Sequence, residues 1–228
     1  KQFVEERELT VMLLVDVSAS GQFGSGAQTK REVAAEVGGA LAFAAQQNND
    51  KVGLLLFTER VEKYVKPAKG QRHALRVVRD ILHHTPEGRG GDLRHALHHL
   101  QKSFRRRAVL VILSDFLDPL PTSALAQANR RHDVVAVQVT DPHEESLPAL
   151  GRMTLEDAET GEVGEVLLRK PSELEAFHQD RAEAQEALTK QLAGMDIDHL
   201  QLRTDQPWLP ELAKFFRTRL EKQMPRSK

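Results

Sequence analysis

The chain has 228 residues, 40% hydrophobic and 29% charged, with a formal net charge of −1 and no cysteine. That length and balance suit one sizeable globular domain, and near-neutrality leaves no global field to attract nucleic acid or anionic lipid. The missing cysteines exclude disulfides, thiolate metal sites and cysteine nucleophiles, and no apolar run approaches the roughly 18 residues of a membrane span.

The start, Lys1-Gln2-Phe3-Val4-Glu5-Glu6-Arg7, carries neither a methionine nor a signal-type apolar region. Residues 1–9 are therefore expected to be the end of an upstream region, and 10–228 the domain, with a cytoplasmic location. Val11–Val15 is a continuous apolar run, as in a strand covered on both faces. Thr29-x-x-Glu32 is a capping box opening a helix with Val33, Val37, Ala40, Leu41 and Ala44 on one stripe. Val52–Phe57 is a second buried strand, and Lys63-Tyr64-Val65 is placed to pair antiparallel at an edge. A helix over about 72–83 carries Leu75, Val78, Ile81 and Leu82.

Pro86-Glu87-Gly88-Arg89-Gly90-Gly91 is a loop, and Asp92 stands where an N-cap belongs, ahead of Leu93, Ala96, Leu97 and Leu100. Ala108–Leu113 is the third buried strand; the basic Arg105-Arg106-Arg107 before it reads as a charged loop. A short helix near Ser123–Arg130 and a fourth strand, Val134–Val139, follow. Residues 150–168 read as a β-hairpin excursion with Gly161 at its turn. Pro171-Ser172-x-x-Glu175 caps a long helix lined by Leu174, Phe177, Leu188 and Leu192 and ended by Gly194. Ile197–Leu202 is another strand, and Leu209, Leu212, Ala213, Phe216 and Leu220 stripe the last helix.

Alternating strands and helices predict an α/β fold, a doubly wound, mostly parallel sheet with helices on both faces. Ligands of such sheets bind beyond the carboxyl ends of the strands, near a switch in strand order. Three loops qualify: those after Val15, around Gly91 and after Leu113. In the first, Asp16-x-Ser18-x-Ser20 offers a carboxylate and two hydroxyls at alternate positions, the hard oxygens that Mg²⁺ or another divalent cation favours. Asp115 adds a second carboxylate from a neighbouring strand. The competing reading makes Ser18 and Ser20 turn residues and leaves Asp16 to satisfy loop amides.

Asp16-Val17-Ser18-Ala19-Ser20 between an apolar strand and a capped helix resembles the metal-ion-dependent adhesion motif of von Willebrand factor A domains. Glu5-Glu6-Arg7-Glu8, Lys51–Phe57, Lys66-Pro67-x-Lys69-Gly70, Gly91-Asp92-Leu93 and Val111–Phe116 are similar to one bacterial group, the domain of unknown function 58 family. Asp157-x-Glu159-Thr160-Gly161-Glu162 and Leu202-Arg203-Thr204-Asp205 extend the likeness over essentially the whole chain. The resemblance implies a C-terminal von Willebrand factor A-like domain with a metal held by Asp16, Ser18, Ser20, Asp92 and Asp115. It also implies a coordination position for an acidic side chain of a protein ligand, and work with a MoxR-type AAA+ ATPase in a chaperone or assembly role. One position departs from the pattern: Gly91 stands where a ligand threonine is expected.

The other motifs are incomplete. Gly21-x-x-x-x-Gly26 is followed by Ala27 and Gln28 rather than the lysine and hydroxyl of a phosphate loop. His95 and His99 have zinc spacing but oppose the apolar stripe of their helix, and no third ligand is evident. Trp208 reads as a packing residue. No serine elbow or tied serine–histidine pair is present. The expectation is a non-enzymatic interaction domain; the alternative is a metal-dependent phosphoester hydrolase using the same acids.

Overall fold

The computed structural model describes residues 8–147, 151–156, 158, 161–168 and 170–223. Glu5-Glu6-Arg7 and Asp157, Glu159 and Thr160, quoted above, lie outside the described residues. The strands are β1 (Thr10–Asp16), β2 (Lys51–Phe57), β3 (Val61–Ala68), β4 (Val109–Ser114), β5 (Asp133–Thr140), β6 (Gly151–Glu156), β7 (Val163–Leu168) and β8 (Asp198–Arg203). The helices are α1 (Lys30–Gln47), α2 (Gln71–His83), α3 (Leu93–Ser103), α4 (Thr122–Arg131), α5 (Pro142–Glu145), α6 (Pro171–Gly194) and α7 (Trp208–Gln223).

Six strands form one sheet in the order β3-β2-β1-β4-β5-β8. All neighbours are parallel except β3, which pairs antiparallel with β2 at the edge. The period-2 alternation of β1 divides its side chains between two cores. Leu13 and Val15 face α1, α2 and α7, with Val37, Val77, Ile81 and Leu212 packed on them. Met12 and Leu14 face α3, α4 and α6, meeting Leu97, Leu100, Leu125 and Leu192. This is the α/β, doubly wound, von Willebrand factor A-like architecture expected. The chain leaves β1 towards β2 on one side and reaches β4 on the other, so the switch point lies between β1 and β4.

β6 and β7 form the separate antiparallel hairpin, and Gly161 between them has φ +74, a left-handed conformation that favours glycine. Helix positions matched the expectations better than helix faces did. Leu75 and Leu82 are 48% and 49% exposed, while Ala74, Val77 and Ile81 point inward. On α1, Ala44 is exposed, and Ala34, Gly38 and Ala42 are buried. On α7, Leu209, Ala213 and Leu220 are exposed, and Leu212 alone of the predicted stripe is fully packed. These helices carry apolar residues on more than one stripe, so the inward one cannot be read from apolar spacing alone. α6 starts at Pro171, where the Lys170 N–H donates to Glu173 Oε2 at 3.2 Å, rather than at a Ser172 cap.

Candidate functional site

Asp16 is the last residue of β1, and Ser114 the last of β4. The parallel register pairing Val15 with Leu113 brings the two together across the switch point. The Ser114 hydroxyl donates to Asp16 Oδ2 at 2.8 Å, and the Ser18 N–H donates to Asp16 Oδ1 at 2.9 Å. A single 3-10 turn, Ala19–Gln22, curls the chain back so that Ser18 Oγ and Ser20 Oγ lie 3.1 Å apart. Asp16, Ser18 and Ser20 are thus brought together. Together with Gly21, Lys30, Ser114 and Asp115 they line a cavity of about 20 Å³, large enough for one water-sized occupant.

Asp115 lines the same cavity, but its Oδ2 accepts a bond from Lys30 Nζ at 2.7 Å. Lys30 is the first residue of α1, only 2% exposed, and its ammonium also reaches Glu144 Oε1 of α5 at 2.5 Å. Arg31, the next residue, donates to the His84 carbonyl. The α5 turn is held by the fully buried Asp141, which accepts from the Ser25 N–H at 2.9 Å and the Thr204 hydroxyl at 2.7 Å. Burial, and then the charge of Asp115, push the Asp16 carboxyl up to about 6. Burial also raises Glu144, despite the adjacent Lys30.

On the other side of Asp16 lies an open cleft of about 330 Å³, lined by Gly91, Asp92, Arg94, Phe116 and Asp118 among others. Asp92 Oδ1 accepts the His95 N–H at 3.0 Å, so this side chain caps α3 and borders the cleft rather than the small cavity. A Cβ on Gly91 would sit 2.7 Å from Asp118 Oδ2 and 3.4 Å from Asp16 Oδ2. Asp118 therefore occupies the space that a threonine side chain at 91 would enter. Its carboxyl is raised, first by burial and then by Asp115 and Asp92. The loop carrying Gly91 is fastened by Glu59 of the β2–β3 turn and Glu62 of β3. Glu59 Oε2 accepts the N–H groups of Arg89 and Gly90, both at 3.0 Å, and Glu62 accepts those of Glu87 at 3.2 Å and Gly88 at 2.9 Å.

Sequence reasoning missed Lys30, Glu144 and Asp118. Lys30 had a signal: it lies three, four and seven residues before Val33, Ala34 and Val37, on the inward stripe. Asp141-Pro142-x-Glu144 is itself a capping box with proline at the first helical position, which marks α5. Nothing local marks Asp118. The histidines do not assemble into a site: His95 and His98 are exposed, and His99 packs edge-on against Tyr64 at 5.5 Å. Trp208 packs on the core and donates from Nε1 to Glu36 at 2.7 Å.

Residues 1–187 match the family model described as protein of unknown function DUF58. The chain belongs to this family. A relative, the uncharacterized protein Rv1480 of Mycobacterium tuberculosis, is 33% identical over 225 residues, spanning 96% of this chain and 70% of the relative. Among solved structures, the conserved hypothetical protein BatB of Bacteroides thetaiotaomicron aligns over 95% of this chain and 100% of its own, with TM-score 0.57 and 16% identity. An aerotolerance-related membrane protein of Bacteroides fragilis covers the same shares at TM-score 0.59 and 16% identity. At these identities the likeness bears on fold alone. Among the described residues, no helix is long and apolar enough to cross a membrane.

The donor chemistry of this DUF58 domain fits a hard divalent cation. Two carboxylates, Asp16 and Asp115, and the hydroxyls of Ser18, Ser20 and Ser114 line a cavity of one-occupant size, where burial and Asp115 raise the Asp16 carboxyl and Lys30 pairs with Asp115. Among the described residues no three acids or histidines group closely enough to hold an ion by themselves, so the serine hydroxyls are needed to complete the set. A cation there would supply positive charge at the carboxyl end of the sheet, with water completing its shell.

Proposed function

We propose that this DUF58 domain is a non-enzymatic interaction module. Asp16, Ser18 and Ser20 hold a divalent cation such as Mg²⁺ and present it to an acidic side chain of a protein ligand. The observation that carries this is the convergence of those three side chains on a cavity of about 20 Å³ at the switch point between β1 and β4. The open cleft beside Asp16 leaves room for an approaching side chain. The sequence resemblance extends this reading to a cytoplasmic chaperone or assembly role alongside a MoxR-type AAA+ ATPase.

The alternative, a metal-dependent phosphoester hydrolase, would use the same ion as its cationic clamp, and the two protein cations lining the small cavity are already engaged, Lys30 by Asp115 and Glu144 and Arg31 by the His84 carbonyl. The direct test immobilises the domain and titrates the MoxR-type ATPase of the same organism, with Mg²⁺ or with chelator. Binding that needs the ion and is lost in Asp16→Ala supports the proposal. Binding indifferent to both would refute the metal-bridged version, and ion-dependent phosphatase turnover abolished by the same substitution would favour the hydrolase.

A further inference from the structure

Lys30 has no counterpart in the ligand set expected of the site, yet it is the most completely buried charge beside it. Its ammonium shares the small cavity with Asp16, Ser18, Ser20 and Asp115. It is held between two carboxylates, Asp115 Oδ2 at 2.7 Å and Glu144 Oε1 at 2.5 Å. A buried ammonium persists only where partners balance it. Here one of those partners is the acid that a cation in the cavity would otherwise draw. Asp115 Oδ1 accepts the Leu117 N–H at 3.4 Å and its backbone carbonyl accepts Gln138 Nε2 at 3.2 Å, so Oδ2 is the carboxylate oxygen that Lys30 holds. The other cation lining the cavity, Arg31, is turned to the His84 carbonyl.

We infer that Lys30 is an internal counter-ion that competes with the divalent cation for Asp115, and that Glu144 is the second anchor that keeps the ammonium in place when Asp115 turns to the ion. This rests on the proposed ion site and assigns what sets its affinity. With Lys30 on Asp115, the ion meets one carboxylate, two hydroxyls and a neighbouring like charge, an arrangement that holds Mg²⁺ weakly. Removing the ammonium frees Asp115; removing Glu144 leaves the ammonium to Asp115 alone. The two changes act in opposite directions, whereas loss of a merely structural contact would weaken binding in both.

The experiment titrates Mn²⁺ into the whole chain calorimetrically at fixed pH, with folding of each variant checked by circular dichroism. Lys30→Met is expected to bind Mn²⁺ at least tenfold more tightly than wild type, and Glu144→Gln more weakly. The Lys30→Met gain should vanish when Asp115 is also changed to Asn; a gain that persists in that background would overturn competition for Asp115. Wild-type binding that Lys30→Met leaves unchanged or weakens overturns the inference while leaving the ion site standing. No binding by either protein overturns both. Should Lys30→Met not fold, Glu144→Gln decides, since it keeps the ammonium: weaker binding supports the inference, and equal or tighter binding overturns it.

Discussion

Glu62 offers a quantitative test of how the edge of the site is built. Its side chain is 3% exposed and accepts from the Gly88 N–H at 2.9 Å, the Glu87 N–H at 3.2 Å and the Thr58 hydroxyl at 2.8 Å. Burial alone would raise its carboxyl, but these donors and His84 outweigh it and lower the pKa from the ordinary 4.5 to about 2. Glutamine keeps the size and one acceptor oxygen but not the charge, and so imitates the protonated acid. A shift of some 2.5 units at about 1.4 kcal/mol each makes the ionised form contribute about 3 kcal/mol at pH 7. The folded pKa is depressed, so this contribution is complete well above pH 4.5 and is lost as the pH falls through 4.5 towards 2. At pH 3.5 about 2 kcal/mol remains by the same linkage. Urea unfolding of wild type and Glu62→Gln should show a gap of about 3 kcal/mol at pH 7.5 that narrows by about a third at pH 3.5. A variant within about 0.5 kcal/mol of wild type at pH 7.5, the range of an ordinary surface change, or a gap that does not depend on pH, would refute this reasoning.

Three further outcomes follow from named contacts. His132 is 3% exposed, stacks on Phe104 and leaves both ring nitrogens unpartnered, and burial followed by Arg131 lowers its pKa. The unfolded chain therefore binds its proton first, and stability should fall as the pH drops through about 6.5; His132→Phe should flatten that slope in thermal scans, and an unchanged slope would contradict the assignment. Thr29→Ala removes the hydroxyl that accepts the Glu32 N–H at 3.2 Å and should cost about 1 kcal/mol in urea unfolding. Gly91→Thr places a Cβ 2.7 Å from Asp118 Oδ2, the end of a flexible side chain. It should lower stability by about 1–3 kcal/mol without ion while tightening Mn²⁺ binding; unchanged affinity would show that the added hydroxyl does not reach the ion.

The strands were legible because parallel strands buried on both faces leave continuous apolar runs, as Val11–Val15 and Val52–Phe57 show. Their order was foreshadowed only as far as β–α alternation goes. The faces of α2 and α7 were misjudged because Leu75, Leu82, Leu209 and Leu220 are large apolar residues left at the surface, while Ala74, Val77 and Ile81 on α2 and Leu212 on α7 take the close contacts. At the site, Asp16, Ser18 and Ser20 could be read because one short loop carries all three. Lys30, Glu144 and Asp118 come from three separate segments, and their meeting depends on the path of α1, the α5 turn and the loop after β4. Charged residues in helical first turns and loops normally face water, and only tertiary packing reverses that here.

The most direct test of the ion site is a crystal soaked in Mn²⁺ and measured at the manganese absorption edge. The expected result is an anomalous peak between Asp16, Ser18 and Ser20, inside the cavity that also touches Lys30 and Asp115. Strong data with no peak there at millimolar Mn²⁺, or with manganese only at surface acids, would contradict it.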